Sequence, residues 1–99
     1  MRYIATGQIF EISDIHTYGK NKEKSKQTVV ITTKNVEVKN RLEYCCFDAF
    51  SEELINEISD LSLEPGDSVN CEFQIIGRKV STEGKNNYFE NKELLSIHL

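Results

Sequence analysis

Tryptophan is absent from this chain, and proline and methionine each occur once in 99 residues. No apolar run approaches the roughly 18 residues that a membrane-spanning helix needs. The N-terminal segment has no long apolar stretch ahead of a small-residue cleavage site. We therefore expect no membrane span and no signal peptide, and we expect a cytoplasmic protein. Without tryptophan, any aromatic side chain on the surface of the protein is one of the five phenylalanines or four tyrosines.

Motifs for metal binding and catalysis are also missing. The cysteines, Cys45, Cys46 and Cys71, form no CxxC pair and show no cysteine–histidine spacing typical of zinc sites. The chain lacks a P-loop, a GxSxG motif and the histidine–carboxylate spacing of a metallohydrolase. His16 and His98 lie at predicted strand ends, where surface or packing roles are more usual than general-base catalysis. The sequence predicts reduced thiols, no metal, no cofactor and no enzymatic activity.

What the chain does contain is a series of segments with the two-residue alternation of β-strands. Its length fits one domain over residues 1–99. Strands are predicted over residues 4–15, 27–33, 41–47, 67–77 and 88–99. In the third of these, alternation places Phe47 on the face opposite Leu42, Tyr44 and Cys46. In the last two strands the side chains expected to point inward are Val69, Cys71, Phe73, Ile75, Phe89, Leu95 and Ile97.

One segment has helical spacing instead. Apolar residues recur every three or four positions between residues 51 and 61, Ser51 is a suitable N-cap, and two glutamates occupy the first turn. A turn follows at Pro65 and Gly66. The predicted order is therefore β-β-β-α-β-β. This is the order of the five-stranded OB-fold barrel, whose binding face combines the second and third strands with two loops. A β-sandwich is the competing architecture, and it fits a single mid-chain helix poorly.

Charge is distributed very unevenly along the sequence. Three segments, residues 18–26, 34–41 and 77–87, are expected to be the connections between strands, the first and last of them loops. They carry net charges of +3, +2 and +2 and hold 10 of the 12 basic residues. The remaining residues sum to −11 in a chain of net charge −4. Any one segment alone is explained by solvation. Together they predict a positively charged groove that attracts a polyanion, with the acidic helix at the other end of the barrel.

Nucleic-acid binding by such folds combines attraction of the phosphate backbone with stacking of bases on aromatic rings. Phe47 and Tyr88 are the rings expected to be exposed, followed by Tyr18, whereas Phe10, Phe73 and Phe89 are expected in the core. The full set of predicted nucleic-acid-binding residues is Tyr18, Lys20, Lys22, Lys24, Lys26, Lys39, Arg41, Phe47, Arg78, Lys79, Lys85 and Tyr88.

The sequence also resembles a family of small bacterial and phage OB-fold proteins, many of them single-stranded DNA-binding proteins. The resemblance covers nearly the whole chain, through "TGQIFEI", "KQTVVITT", "YCCFDAFSEELINEI", "LEPGDSV", "FQIIGRKV" and "YFENKELLSI". Members of that family tend to have a tryptophan near the end of the third strand and an aromatic pair opening the fifth. The corresponding positions here are Phe47 and the pair Tyr88 and Phe89.

The sequence therefore predicts a protein that binds single-stranded DNA with little base preference. Two alternatives stay open: an OB-fold module that binds another protein, and an OB domain that binds RNA. A homo-oligomer is also left open, because the sequence shows no interface.

Overall fold

The computed structural model describes residues 2–35 and 41–99, apart from the side chains at positions 34, 35 and 41. Within these residues the chain forms six strands and one helix. In chain order they are β1 (Arg2–Ile12), β2 (His16–Tyr18), β3 (Lys24–Asn35), β4 (Arg41–Ala49), α1 (Glu52–Asp60), β5 (Ser68–Thr82) and β6 (Lys85–His98). The predicted order is confirmed, with the three-residue β2 as an addition. No helix in the described residues is long and apolar enough to cross a membrane.

Five of the strands close into a barrel in the order β1-β5-β6-β4-β3, and β3 returns to β1. All neighbours are antiparallel except β4 and β6, which run parallel and pair at Asp48 and Glu93. The short β2 adds to the outside of β3. A closed five-stranded barrel with a helix between its third and fourth strands is the OB-fold, so that prediction is confirmed and the β-sandwich is excluded.

Barrel closure depends on how β1 changes partner. Residues Arg2 to Gln8 pair with β5, and residues Gln8 to Ile12 pair with β3. At this crossing a Cβ atom on Gly7 would clash with the carbonyl oxygen of Thr32, so the position requires glycine. One step further, a β-bulge leaves Phe10 without a partner between Ile9 and Glu11. Phe10 follows the buried Ile9, so alternation turns its side chain to the outside of the barrel, where it is exposed rather than buried in the core as predicted.

The barrel interior is filled by alternate residues of all five strands. Phe47 lies at its centre, fully buried, with its ring 4.8 Å from that of Phe73. Helix α1 covers one end of the barrel with Leu54, Ile55 and Ile58. Its predicted N-cap is confirmed, since the Ser51 hydroxyl accepts a 3.1 Å hydrogen bond from the Leu54 amide.

The prediction that Phe47 is exposed for stacking is therefore wrong. Both faces of β4 carry apolar side chains, and the strand presents Phe47 and Ala49 to the core while Leu42, Tyr44 and Cys46 face solvent. Because side chains alternate along a strand, the wrong choice of face moves every residue of β4 to the wrong side.

The segment 77–87 is not a loop, contrary to the prediction. Strands β5 and β6 continue beyond the barrel as a hairpin, joined by a tight turn in which Glu83 and Gly84 both have positive φ (52° and 77°). Such a turn matches the twist of paired strands. Every residue from 75 to 92, which we call the arm, is exposed, including Ile75 and Phe89 that were expected to point inward. The arm also explains a radius of gyration of 15.2 Å, against about 13 Å for a compact chain of this length.

Candidate nucleic-acid interface

Two exposed aromatic rings lie in contact on the outer surface of the barrel. Phe10 of β1 lies beside Tyr44 of β4, with ring centroids 5.0 Å apart and planes at 76°. The two side chains are 50% and 56% exposed. An edge-to-face pair of this kind fixes both rings against each other while leaving ring faces open to solvent. It gives the outer surface of β1, β3 and β4 a rigid aromatic platform.

A shallow groove adjoins this platform where β1 crosses β3. It has a volume of about 270 Å³, and the described residues that line it carry no charge: Thr6, Gly7, Gln8, Thr32, Thr33 and Leu42. The Thr6 hydroxyl donates a 2.6 Å hydrogen bond to the Asn70 side-chain oxygen, and the Thr32 hydroxyl donates a 3.4 Å bond to the Gln8 carbonyl. A groove with hydroxyl groups, an amide and a leucine suits a base or a sugar better than a phosphate.

The arm has two chemically different faces. In its antiparallel ladder Arg78 lies opposite Phe89, and Lys79 lies opposite Tyr88. Directly opposed residues share a face, so these two pairs point to opposite sides. The outer arm face continues the outside of the barrel and carries no acidic residue: Ile76, Arg78, Val80, Thr82, Lys85, Asn87, Phe89 and Asn91. The inner arm face carries Lys79, Tyr88 and Lys92 together with Glu90.

The outer arm face and the aromatic platform lie on the same side of the molecule. Strands β4 and β6 run parallel, and their pairing among the described residues is limited to Asp48 and Glu93. The residues before Asp48 and those before Glu93 therefore extend toward the same end while the two strands separate. We call the space between the two diverging strands the cleft; Leu42 and Tyr44 belong to its β4 side, and Arg78 and Phe89 belong to its arm side.

The predicted basic segments do not gather around one groove. Strand β3 begins beside the end of β4, so residues 18–26 lie at the helix end of the barrel. Lys24 and Ser25 in fact line the same cavity as Glu52 and Asn56 of α1. The arm extends toward the opposite end. The prediction of one groove with the helix far away is therefore wrong. The net charge of a segment does not show at which end of the barrel the segment lies, and strand direction places these segments at opposite ends.

The remaining predicted residues are placed as follows. Tyr88 is exposed, at 72%, and Tyr18 is half-buried on β2. Lys20 and Lys22 lie in the turn before β3, whereas Lys24 and Lys26 belong to β3 itself. Lys39 lies outside the described residues, and at Arg41 only the backbone is described. In the described part of the chain no cluster of histidine, cysteine, aspartate or glutamate residues is arranged to hold a metal ion.

Sequence reasoning missed three surface rings: Phe10, Tyr44 and Phe89. Tyr44 follows from alternation once Phe47 is assigned to the core, so a signal for it was present. Phe89 follows in the same way if the arm is recognised as a hairpin. Phe10 follows from alternation as well, once its neighbour Ile9 is assigned to the core.

Comparison with solved structures gives the fold an independent basis. The mitochondrial single-stranded DNA-binding protein of S. cerevisiae superposes with a TM-score of 0.69 at 14% identity, covering 100% of this chain and 93% of that one. A Plasmodium falciparum single-stranded DNA-binding protein in complex with single-stranded DNA superposes with a TM-score of 0.64 at 17% identity, covering 94% and 84%. The chain has their fold. No protein-family model matches the sequence, and no curated protein matches it either.

Proposed function

We propose that this protein binds single-stranded DNA with little base preference, as a non-catalytic cytoplasmic protein of the kind found in bacteria and phages. The observation that carries the proposal is the cleft between the platform of Phe10 and Tyr44 and the acid-free outer arm face. Aromatic rings next to cationic side chains suit a single strand, because the rings stack on its exposed bases and the cations contact its phosphates. The fold shared with a protein whose structure was solved in complex with single-stranded DNA supports the same function.

Each part of the cleft has a distinct task in this proposal. Phe10, Tyr44 and Phe89 receive base faces, each stacked base contributing about 1–3 kcal/mol. Arg78 and Lys85 contact the phosphates along the arm. The groove beside Leu42 holds a base or a sugar of the same strand. Stacking does not distinguish one base from another, so the binding is sequence-tolerant.

The other predicted residues extend the path beyond the cleft. Arg41 begins β4 at the end toward which the arm extends, and Lys39, outside the described residues, precedes it in the sequence. Tyr18, Lys20, Lys22, Lys24 and Lys26 lie toward the other end, where a longer strand would leave the platform. Lys79 and Tyr88 meet DNA only if the strand passes around the arm to its inner face.

A titration of fluorescent oligo-dT at several salt concentrations tests the proposal. If about four phosphates are neutralised, log K against log salt has a slope near −3, because each phosphate on a single strand contributes about −0.7. An RNA oligonucleotide of equal length, run in parallel, tells whether the 2′-hydroxyl matters. Absence of binding at low salt, or an affinity independent of salt, would overturn the proposal.

A further inference from the structure

A second cavity lies at the helix end of the described residues, apart from the aromatic platform. It has a volume of about 700 Å³, and residues of β2, β3, α1 and β6 line it. This size is within the range of pockets that hold ligands, about 300–1,000 Å³. Phe50, which links β4 to α1, forms one wall, and Ile15, which precedes β2, forms another.

The described residues leave the apolar part of this cavity open to solvent. Ile15 is 52% exposed and Phe50 is 38% exposed, although both lie against a concave surface whose floor includes the buried Ile55. Scattered exposed apolar residues are normal, but two that converge on one cavity provide an anchoring point for an apolar side chain.

The polar part of the cavity is dominated by carboxylates. Glu23, Glu52 and Glu93 line it against a single cation, Lys24. None of these four residues forms a salt bridge within the described part of the chain, where the ion pair is that of Arg2 and Glu72. Glu93 accepts a 3.3 Å hydrogen bond from the Gln74 amide, and Glu23 accepts a 2.9 Å bond from the Asn21 backbone amide. A phosphate is repelled here, and a cation is attracted.

We propose that this cavity binds a segment of a partner protein in which lysine or arginine lies next to a large apolar side chain. The apolar side chain packs between Ile15 and Phe50, and the cation meets the carboxylates of Glu52 and Glu93. Opposite charge sets the choice of partner and its orientation, while the apolar contact supplies affinity. This inference does not rest on DNA binding, since the cavity includes no residue of the platform or the arm, although Tyr18 and Lys24 of the proposed DNA path line it.

Two-dimensional ¹H–¹⁵N NMR with a defined peptide tests the inference. The probe is acetyl-Lys-Leu-Phe-Arg-amide, and its control is acetyl-Glu-Leu-Phe-Glu-amide. We expect the basic peptide to shift the amide signals of Ser25, Phe50 and Asn56, which line the cavity. The acidic peptide should leave those signals in place.

Charge variants locate the site. The double variant Glu52→Lys with Glu93→Lys should weaken binding of the basic peptide at least tenfold. The double variant Glu52→Gln with Glu93→Gln keeps the shapes of the side chains and should weaken peptide binding less than the lysine variant does. It also shows whether weaker binding by the lysine variant results from loss of the carboxylates or from misfolding. Glu53→Lys is the matched control, because Glu53 lies in the same helical turn but does not line the cavity. It should bind the peptide as well as the unmodified protein does.

Several outcomes would overturn the inference. Equal binding of both peptides, or shifts centred on Tyr44 rather than Phe50, would show that the cavity does not select the probe. A concentration-dependent dimer that the Glu52→Lys and Glu93→Lys changes abolish would show that a second copy, through its basic arm, is the occupant instead. Oligo-dT binding is measured on the same variants and should be undiminished, so failure of this inference is distinguishable from failure of DNA binding.

Discussion

Tyr44 and Phe47 lie three positions apart on β4 and have opposite environments. Phe47 contacts Phe73 in the core, and Tyr44 contacts Phe10 on the outer surface. An odd separation along a strand always produces this division. The proposed function therefore depends on Tyr44, while Phe47 stabilises the core.

Replacing Tyr44 by alanine should weaken oligo-dT binding by about 1–3 kcal/mol, or roughly 5- to 150-fold, because one stacked base loses its ring. Stability should change little, since the side chain is largely exposed. Fluorescence anisotropy measures the affinity, and a urea titration measures the free energy of unfolding. Ile4→Ala is the control, as Ile4 is an exposed residue in the part of β1 that pairs with β5, six positions before Phe10. Equal affinities for the two variants would contradict the stacking role.

The cysteines should differ in reactivity. Burial, and secondarily the neighbouring Cys45, raises the pKa of the Cys71 thiol from 9.0 to about 11. Cys46 is exposed on the outer face of β4. Since the thiolate is the reactive form, iodoacetamide at pH 8 should modify Cys46 first and Cys71 only in unfolded protein. Mass spectrometry of peptides after timed labelling measures this order.

The same shift predicts how stability depends on pH. The folded state favours the neutral Cys71 thiol, so its contribution is fully present below pH 9 and is lost as the pH rises toward about 11. The free energy of unfolding in urea should fall over that window. A Cys71→Ala variant, although destabilised by its cavity, should lose this part of the pH dependence. Rapid labelling of Cys71 in folded protein would contradict the assignment.

Alternation in the sequence identified β4 but could not choose its inward face. Leu42, Tyr44 and Cys46 are about as apolar as Cys45, Phe47 and Ala49, so composition gives no decision. The inward face of β4 is decided by its surroundings in the barrel, because Phe73 and the buried side of α1 leave a space that a phenylalanine ring fills. In β5 the contrast between apolar Val69, Cys71 and Phe73 and their polar neighbours was sharp, and the predicted inward residues were confirmed as far as Phe73.

The arm is the element in which prediction and structure differ most. Its residues alternate without a clear apolar face, so the sequence favours a loop. Hydrogen bonding across the ladder and the tight turn at Glu83 and Gly84 make it a hairpin, with a 2.8 Å bond from the Ser81 hydroxyl to the Asn86 side chain. Helix α1, by contrast, was predictable because its cap, acidic first turn and apolar spacing all agree.

The two faces of the arm should contribute unequally to DNA binding. Arg78→Glu with Lys85→Glu reverses both cations of the outer face. Loss of two phosphate contacts should reduce the magnitude of the salt slope by about 1.4. Lys79→Glu with Lys92→Glu makes the same change in charge on the inner face and should have a smaller effect. If the inner variant binds oligo-dT more weakly than the outer one, the strand instead follows Tyr88.

For the whole molecule, element order was sufficient to predict the barrel. Three strands, a helix and a final hairpin have few arrangements that bury one apolar layer and keep connections short. The placement of charge could not be predicted in the same way. The net charge of a segment gives no information about the direction of the strands that it connects. In the structure, the directions of β3 and β4 bring the lysines of residues 18–26 beside the acidic helix. The chain consequently has a cationic arm at one end and a mixed, carboxylate-rich cavity at the other.

Strand β1 is shared by the two halves of the barrel, because it pairs first with β5 and then with β3 across Gly7. Detaching it would expose Val69 and Cys71 on one side and Val29 and Ile31 on the other, so it has no low-energy route to separate alone. Its amide protons should therefore exchange with deuterium only through global unfolding. Those of the solvated arm should exchange while the barrel is intact. The molecule thus joins a rigid ring to a hairpin that can adjust independently to whatever lies along it.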